Sequence, residues 1–310
     1  MHEFGDDGAT RSASRRSAVA SSRDDASRCL LHALSHDELG VIVDGLADPL
    51  QPVVAVALSS TCLGLRTPLL AALEVLKERH ARAVALCRKF KMSCAALRDA
   101  EELMGYFKEL TADHLATLGT LLSKWLPRLK ELYVYENGFG DAGMQALCEG
   151  LGRGDAPSLR GLNLGDDKIG PVGAEALAAA LRRGAMPKLK VMNFSFNSLG
   201  NQGVVALAAP LRSLAALEHL YLVNCGIGDE GVASLVANLG KDDFKALKML
   251  FLDTNAITDA GCATLARVRD APNTNALPRL ATLSLSANPA TSEMARQAAW
   301  DALHLKDPFV

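Results

Sequence analysis

Leu129-Lys130-Glu131-Leu132-Tyr133-Val134 and, thirty residues on, Leu159-Arg160-Gly161-Leu162-Asn163-Leu164 decide how this chain folds. The same opening recurs at Leu189, Leu217, Leu247 and Leu280, at successive spacings of 30, 30, 28, 30 and 33 residues. Six in-phase copies are the mark of a repeat architecture. Each copy carries apolar residues at its first, fourth and sixth positions. The fourth and sixth alternate as a half-buried strand requires.

The ninth position reads Asn137, Asp167, Asn197, Cys225, Asn255 and Asn288. A short amide or carboxylate there can bond the backbone of the turn that leaves the strand, where no ladder satisfies it. A second apolar residue follows (Phe139, Ile169, Leu199, Ile227, Ile257), then a glycine (Gly143, Gly173, Gly203, Gly231, Gly261). Next comes a helical stretch such as Ala174-Glu175-Ala176-Leu177-Ala178-Ala179-Ala180-Leu181, whose leucines at i and i+4 pack back on the strand layer. Strand, turn and helix make one unit of about 30 residues, which buries its core only against its neighbours.

This pattern resembles the ribonuclease-inhibitor class of leucine-rich repeats, from residue 129 to about 300. The resemblance implies an α/β fold, a right-handed horseshoe solenoid with parallel strands inside and helices outside. The sixth unit departs from it, with Pro289 after Asn288, Met294 in place of the glycine and Trp300 at the helix end. It reads as a C-terminal cap that closes a domain spanning 129–310. At the other end Leu103, Leu110, Leu118 and Leu122 keep the phase while Lys108 occupies the ladder position. Residues 100–128 read as a degenerate capping repeat.

In the horseshoe, strand positions three, five and seven point away from the leucine core onto the concave side. Column five holds Tyr133, Asn163, Asn193, Tyr221, Phe251 and Ser284; column seven adds Tyr135, Ser195 and Asp253; column three adds Glu131, His219 and Met249. Three of the chain's four tyrosines fall in these columns. Tyrosine offers a large contact area with few rotamers to freeze, so this face is expected to bind a protein partner. Aromatic residues also simply suit strands, which is the competing explanation. Phe196, one position further, either joins this surface or tucks under the turn.

Upstream of the repeats, residues 1–28 are rich in Ser, Arg, Ala and Asp and read as a disordered tail. Residues 29–99 read as helical, with Leu69, Leu73, Leu76, Ala83, Cys87 and Phe90 on one stripe. Lys77, Arg79, Arg82, Arg88, Lys89 and Lys91 form a basic, solvated opposite face, and His80 reads as a half-buried edge residue. Leu34-Ser35-His36-Asp37-Glu38-Leu39-Gly40-Val41-Ile42-Val43 resembles the opening of an F-box, with Ser35 where that family has proline. The resemblance implies that residues 34–70 dock a ubiquitin-ligase adaptor through Leu34, Leu39, Ile42 and Val43. On that reading the repeats form the substrate arm of a cullin-type ligase. The alternative for the same helices is a plain cap on the solenoid.

Composition narrows the remaining classes. With 49 % apolar residues, 22 % charged and a formal charge of -2, there is no electrostatic reason to expect nucleic acid or an anionic membrane as partner. No apolar run approaches the ~18–20 residues of a membrane span. Seven scattered cysteines suggest free thiols, and with them a cytoplasmic or nuclear setting. No catalytic motif is present, so neither enzymatic activity nor a cofactor is expected. Gly150-Leu151-Gly152-Arg153-Gly154 follows a helix rather than a strand and reads as helix termination. Cys29, His32, His36 and Asp37 have zinc-compatible spacing but read as ordinary solvated residues, so no metal is expected. The competing function is GTPase activation, which in a related repeat family uses an arginine from a strand-to-helix loop. Here the loops Glu136–Gly140 and Asp166–Gly170 contain none.

Overall fold

The computed structural model describes residues 41–42, 45–61, 63–237, 239–240, 243–268, 277–289 and 291–305. The chain forms two units, residues 1–78 and 79–310. Helices α1 (Val53–Thr61) and α2 (Leu63–Phe90) come first, and α2 runs through the boundary. The expected apolar stripe of α2 is present: Leu73, Leu76, Ala83 and Cys87 are buried, and His80 is half-buried. On the basic side Lys77, Arg79, Arg82, Arg88 and Lys91 are exposed. Lys89 is not a solvated residue. Its ammonium turns inward and donates to the carbonyls of Lys108 (3.0 Å) and Glu109 (3.3 Å).

After α3 (Cys94–Asp99) strands and helices alternate: β1 (Glu102–Met104), α4 (Ala112–Lys124), β2 (Glu131–Tyr133), α5 (Gly140–Cys148), β3 (Gly161–Asn163), α6 (Pro171–Arg182) and β4 (Val191–Asn193). Then follow α7 (Gly200–Ser213), β5 (His219–Tyr221), α8 (Asp229–Val236), β6 (Met249–Phe251), α9 (Asp259–Ala266), β7 (Thr282–Ser284) and α10 (Glu293–Ala302). The seven strands form one parallel sheet in sequence order. Their register joins Leu103, Leu132, Leu162, Met192, Leu220, Leu250 and Leu283 across the sheet, all at the fourth position. Parallel strands alternating with helices in this way make a leucine-rich-repeat solenoid. The stretch from residue 100 supplies a complete strand and helix, with β1 in full register on β2.

Strands this short end for a local reason. At the eighth position of every repeat Phe107, Glu136, Asp166, Phe196, Asn224, Thr254 and Ala287 take positive φ between 51° and 63°. That left-handed turn breaks the ladder, and the ninth-position side chain replaces it. Asn197 Oδ1 accepts from Asp167 N (3.1 Å) and Ile169 N (2.8 Å), while its Nδ2 donates to Leu164 O and Phe194 O, both at 2.7 Å. Asn137, Asn255 and Asn288 repeat the scheme. Cys225 offers only weaker thiol bonds, to Phe194 O at 3.3 Å and Val223 O at 3.5 Å. In the first repeat Lys108 forms no rung. Among the described residues no strand precedes β1, and Lys89 meets the open carbonyls of Lys108 and Glu109.

A second polar ladder runs at the helix N-termini. Asp141 Oδ1 accepts from Gly170 N (2.7 Å) and Gly173 N (2.8 Å), so this repeat caps the helix of the next. Asn201 does the same for Gly228 and Gly231, and Asp229 and Asp259 bond Thr258 and Ser292. The recurrent helix glycine allows this approach. A side chain at Gly173 would come within 2.7 Å of Asp141 Oδ1 and 2.9 Å of Ile169 Cγ2. The last repeat closes with buried Trp300, whose indole N–H donates to Leu283 O at 2.9 Å. The glycine run after α5 is helix termination, with Gly150 and Gly154 at φ 82° and 81°. Among the described residues no helix is long and apolar enough to cross a membrane.

Candidate functional site

Once the first, fourth and sixth positions are committed to the core, the odd-numbered strand positions line the other face of the sheet. Glu131, Tyr133, Tyr135, Asn163, Asn193, His219, Tyr221, Met249, Phe251 and Asp253 lie there, each half-buried. Ser195 lies in the same columns but is 7 % exposed, and Ser284 is fully buried with its hydroxyl on Asp253. Phe196 belongs to the surface: its ring is 57 % exposed.

Sequence phase alone undercounted this face. β1 places Met104 and Tyr106 in columns five and seven, with Phe107 at the turn, and all three are exposed. Tyr106 stacks on Tyr135 with ring centroids 5.1 Å apart and planes 15° apart. All four tyrosines of the chain therefore lie in these columns. The signal was in the sequence, because counting from Leu103 in register with Leu132 reaches Tyr106.

Two aromatic stacks flank a polar middle. At one end is Tyr106 on Tyr135; at the other Tyr221 stacks on Phe251 at 5.0 Å, with His219 edge-on to Tyr221. Between them lies a groove of about 480 Å³ lined by Tyr135, Glu136, Asn163, Gly165, Asp166, Asn193, Ser195, Phe196 and Val223. Beside β1 and β2 the Glu131 carboxyl is pushed above its ordinary pKa, first by burial and then by the neighbouring Glu102. At the outer edge Glu218 bridges Lys190 (2.7 Å) and Lys248 (2.6 Å), and these ammonium groups hold it down at about 2.

The buried polar groups of the ladder do not form a reaction centre. Burial pushes the thiols of Cys148 and Cys225 up to about 12, so neither is a nucleophile near neutral pH. Asp167 is fully buried: its Oδ1 accepts from Asn137 N (2.7 Å) and Gly138 N (3.0 Å), its Oδ2 has no partner, and burial raises its pKa to about 7. Among the described residues no group of His, Cys, Asp and Glu is arranged to hold a metal ion. Cys29, His32, His36 and Asp37 lie outside the described residues, as do Leu34, Leu39 and Val43. Ile42 is half-buried. Val41 (73 %), Val53 (66 %), Val54 and Val56 are exposed.

Comparison with known proteins falls on the same repeats. Residues 127–148, 185–208 and 215–236 match the family model described as Leucine Rich repeat. Among 52 solved chains that match is one from a crystal structure of the Rad7 and Elc1 complex in yeast, at 15 % identity and a TM-score of 0.35, covering 95 % of this chain and 80 % of that one. No curated protein matches the chain. The three matched stretches fall on strands and helices already placed in the solenoid, so this chain is similar to leucine-rich-repeat proteins over those repeats.

Proposed function

We propose that this chain is a non-enzymatic scaffold that binds another protein on the strand-lined face. The observation that carries this reading is the gathering of all four tyrosines, with Phe196 and Phe251, on the one face that the leucine core leaves free. Exposed aromatic surface of this kind costs free energy in water and is recovered when a partner covers it. The facing edges of the two stacks, on β2 and β5, stand three strands apart, roughly 15 Å at ~4.8 Å per strand, within the footprint of one protein ligand. A photo-crosslinking amino acid tests this directly. Placed at Tyr221 it should capture the partner, whereas at Val172, exposed on α6, it should not. Equal capture at both positions would move the site off the sheet.

A finer reading assigns the chain to a cullin-type ubiquitin ligase, with residues 34–70 docking the adaptor and the repeats holding the substrate. Exposed Val41, Val53, Val54 and Val56 favour it, because several large apolar side chains left exposed in a short helical stretch are what an uncovered interface presents. Val53→Ser with Val54→Ser should abolish co-purification of the adaptor while leaving the melting temperature within about a degree, since both side chains already face water. Failure of the wild-type chain to retain an adaptor removes this reading and leaves the binding solenoid.

A further inference from the structure

The middle of the strand-lined face carries chemistry that its aromatic ends do not. Asn163 Oδ1 accepts from Gly165 N (3.1 Å) and Asn193 Oδ1 from Ser195 N (2.8 Å). A backbone N–H can be met only by the amide oxygen, so both NH2 groups are turned away from their own strands and into the groove. The two residues are direct partners across β3 and β4. Gly165 keeps the floor open: a side chain there would come within 3.3 Å of Asn163 Oδ1 and 3.8 Å of Asn193 Nδ2. The floor therefore offers donors, and whatever it binds must accept.

The rim fixes the charge of that ligand. Glu136 and Asp166 sit at the eighth positions of adjacent repeats, their backbones held by Glu136 N to Gly165 O and Asp166 N to Ser195 O, both 2.9 Å. Neither carboxylate has an ion-pair partner among the described residues, although exposed Lys168 lies on the same turn. An anionic acceptor would meet these two charges, so the acceptor suited to the floor is a neutral carbonyl and the charge suited to the rim is positive. Phe196 is exposed on this wall at φ 63°, a backbone state that a bulky side chain rarely adopts. Its ring lies where the stem of a long cationic side chain would pack.

We infer that this groove takes an arginine- or lysine-bearing segment of extended peptide, with backbone carbonyls on Asn163 and Asn193 and the cationic head between Glu136 and Asp166. The inference rests on the protein-binding reading and names the chemistry of the partner. The test uses the full chain and three labelled nonapeptides, of arginine, serine and glutamate, followed by fluorescence anisotropy. The arginine peptide should bind, weaken as salt rises, and lose at least tenfold in affinity for Glu136→Gln with Asp166→Asn; the serine and glutamate peptides should not bind. Glu149→Gln with Glu175→Gln, both exposed on the helical side, should leave the arginine peptide unaffected. Equal weakening by the two double variants, or no weakening by the first, overturns the assignment. If a captured protein partner loses affinity for the Tyr133→Ala, Tyr221→Ala chain but not for Glu136→Gln with Asp166→Asn, the basic-segment inference fails while the binding face stands.

Discussion

Asp167 shows how much one atom matters in a repeat. Its neighbours in the ladder, Asn137 and Asn197, are amides whose Nδ2 donates to two sixth-position carbonyls. By the repeat register, Asp167 Oδ2 occupies the same place opposite Val134 O and Leu164 O. A carboxylate cannot donate there; a carboxylic acid can. Burial without a partner for Oδ2 raises the pKa from 3.8 to about 7. The folded chain thus keeps the proton up to about pH 7, while the unfolded chain releases it near the ordinary value. The resulting stability is complete below that ordinary value and is lost as pH rises toward 7. Asp167→Asn should restore the donor, stabilising the chain by about 1–3 kcal/mol at pH 8. Melting curves at pH 5 and pH 8 check this: the gap between variant and wild type should widen at the higher pH. A gap that stays constant would mean that Asp167 does not change protonation between those pH values.

At the scale of elements, three-residue strands gain little from their own backbone bonds, so the leucine layer must hold them. Leu164 follows β3 at the sixth position and is fully buried. Leu164→Ala should cost ~2–5 kcal/mol as a cavity. Because each unit leans only on its neighbours, hydrogen exchange should quicken in β2 and β4 as well as β3. A melting point moved by less than a degree would contradict the register. This register was legible in the sequence because period and alternation repeat six times. The N-terminal ladder of Asp141, Asn201, Asp229 and Asp259 was not read there, although it too recurs in phase. Polar residues at a helix start look like ordinary capping groups until the neighbouring repeat is seen to supply the backbone they bond. Lys89 escaped for the opposite reason: charge pattern alone cannot distinguish a solvated ammonium from one turned inward onto stray carbonyls.

For the whole molecule, the fold was legible because a solenoid reuses one local rule, and the site was legible only in outline. Columns three, five and seven follow from strand alternation, which placed Tyr133, Tyr135, Tyr221 and Phe251. Alternation does not report depth, and Ser195 and Ser284 in the same columns are buried because their short side chains are covered by neighbouring residues. Nor did the missing rung at Lys108 mean a missing strand: β1 forms, and with it Met104, Tyr106 and Phe107 extend the face by one repeat. The central claim is that this enlarged aromatic face holds a protein partner. Its most direct measurement is the dissociation constant for the photo-captured partner, taken on the wild-type chain and on Tyr133→Ala with Tyr221→Ala at equal thermal stability. A binding face there requires a loss of at least tenfold, about 1.4 kcal/mol or more, as expected for truncated aromatic anchors. An unchanged constant in a folded double variant would contradict it.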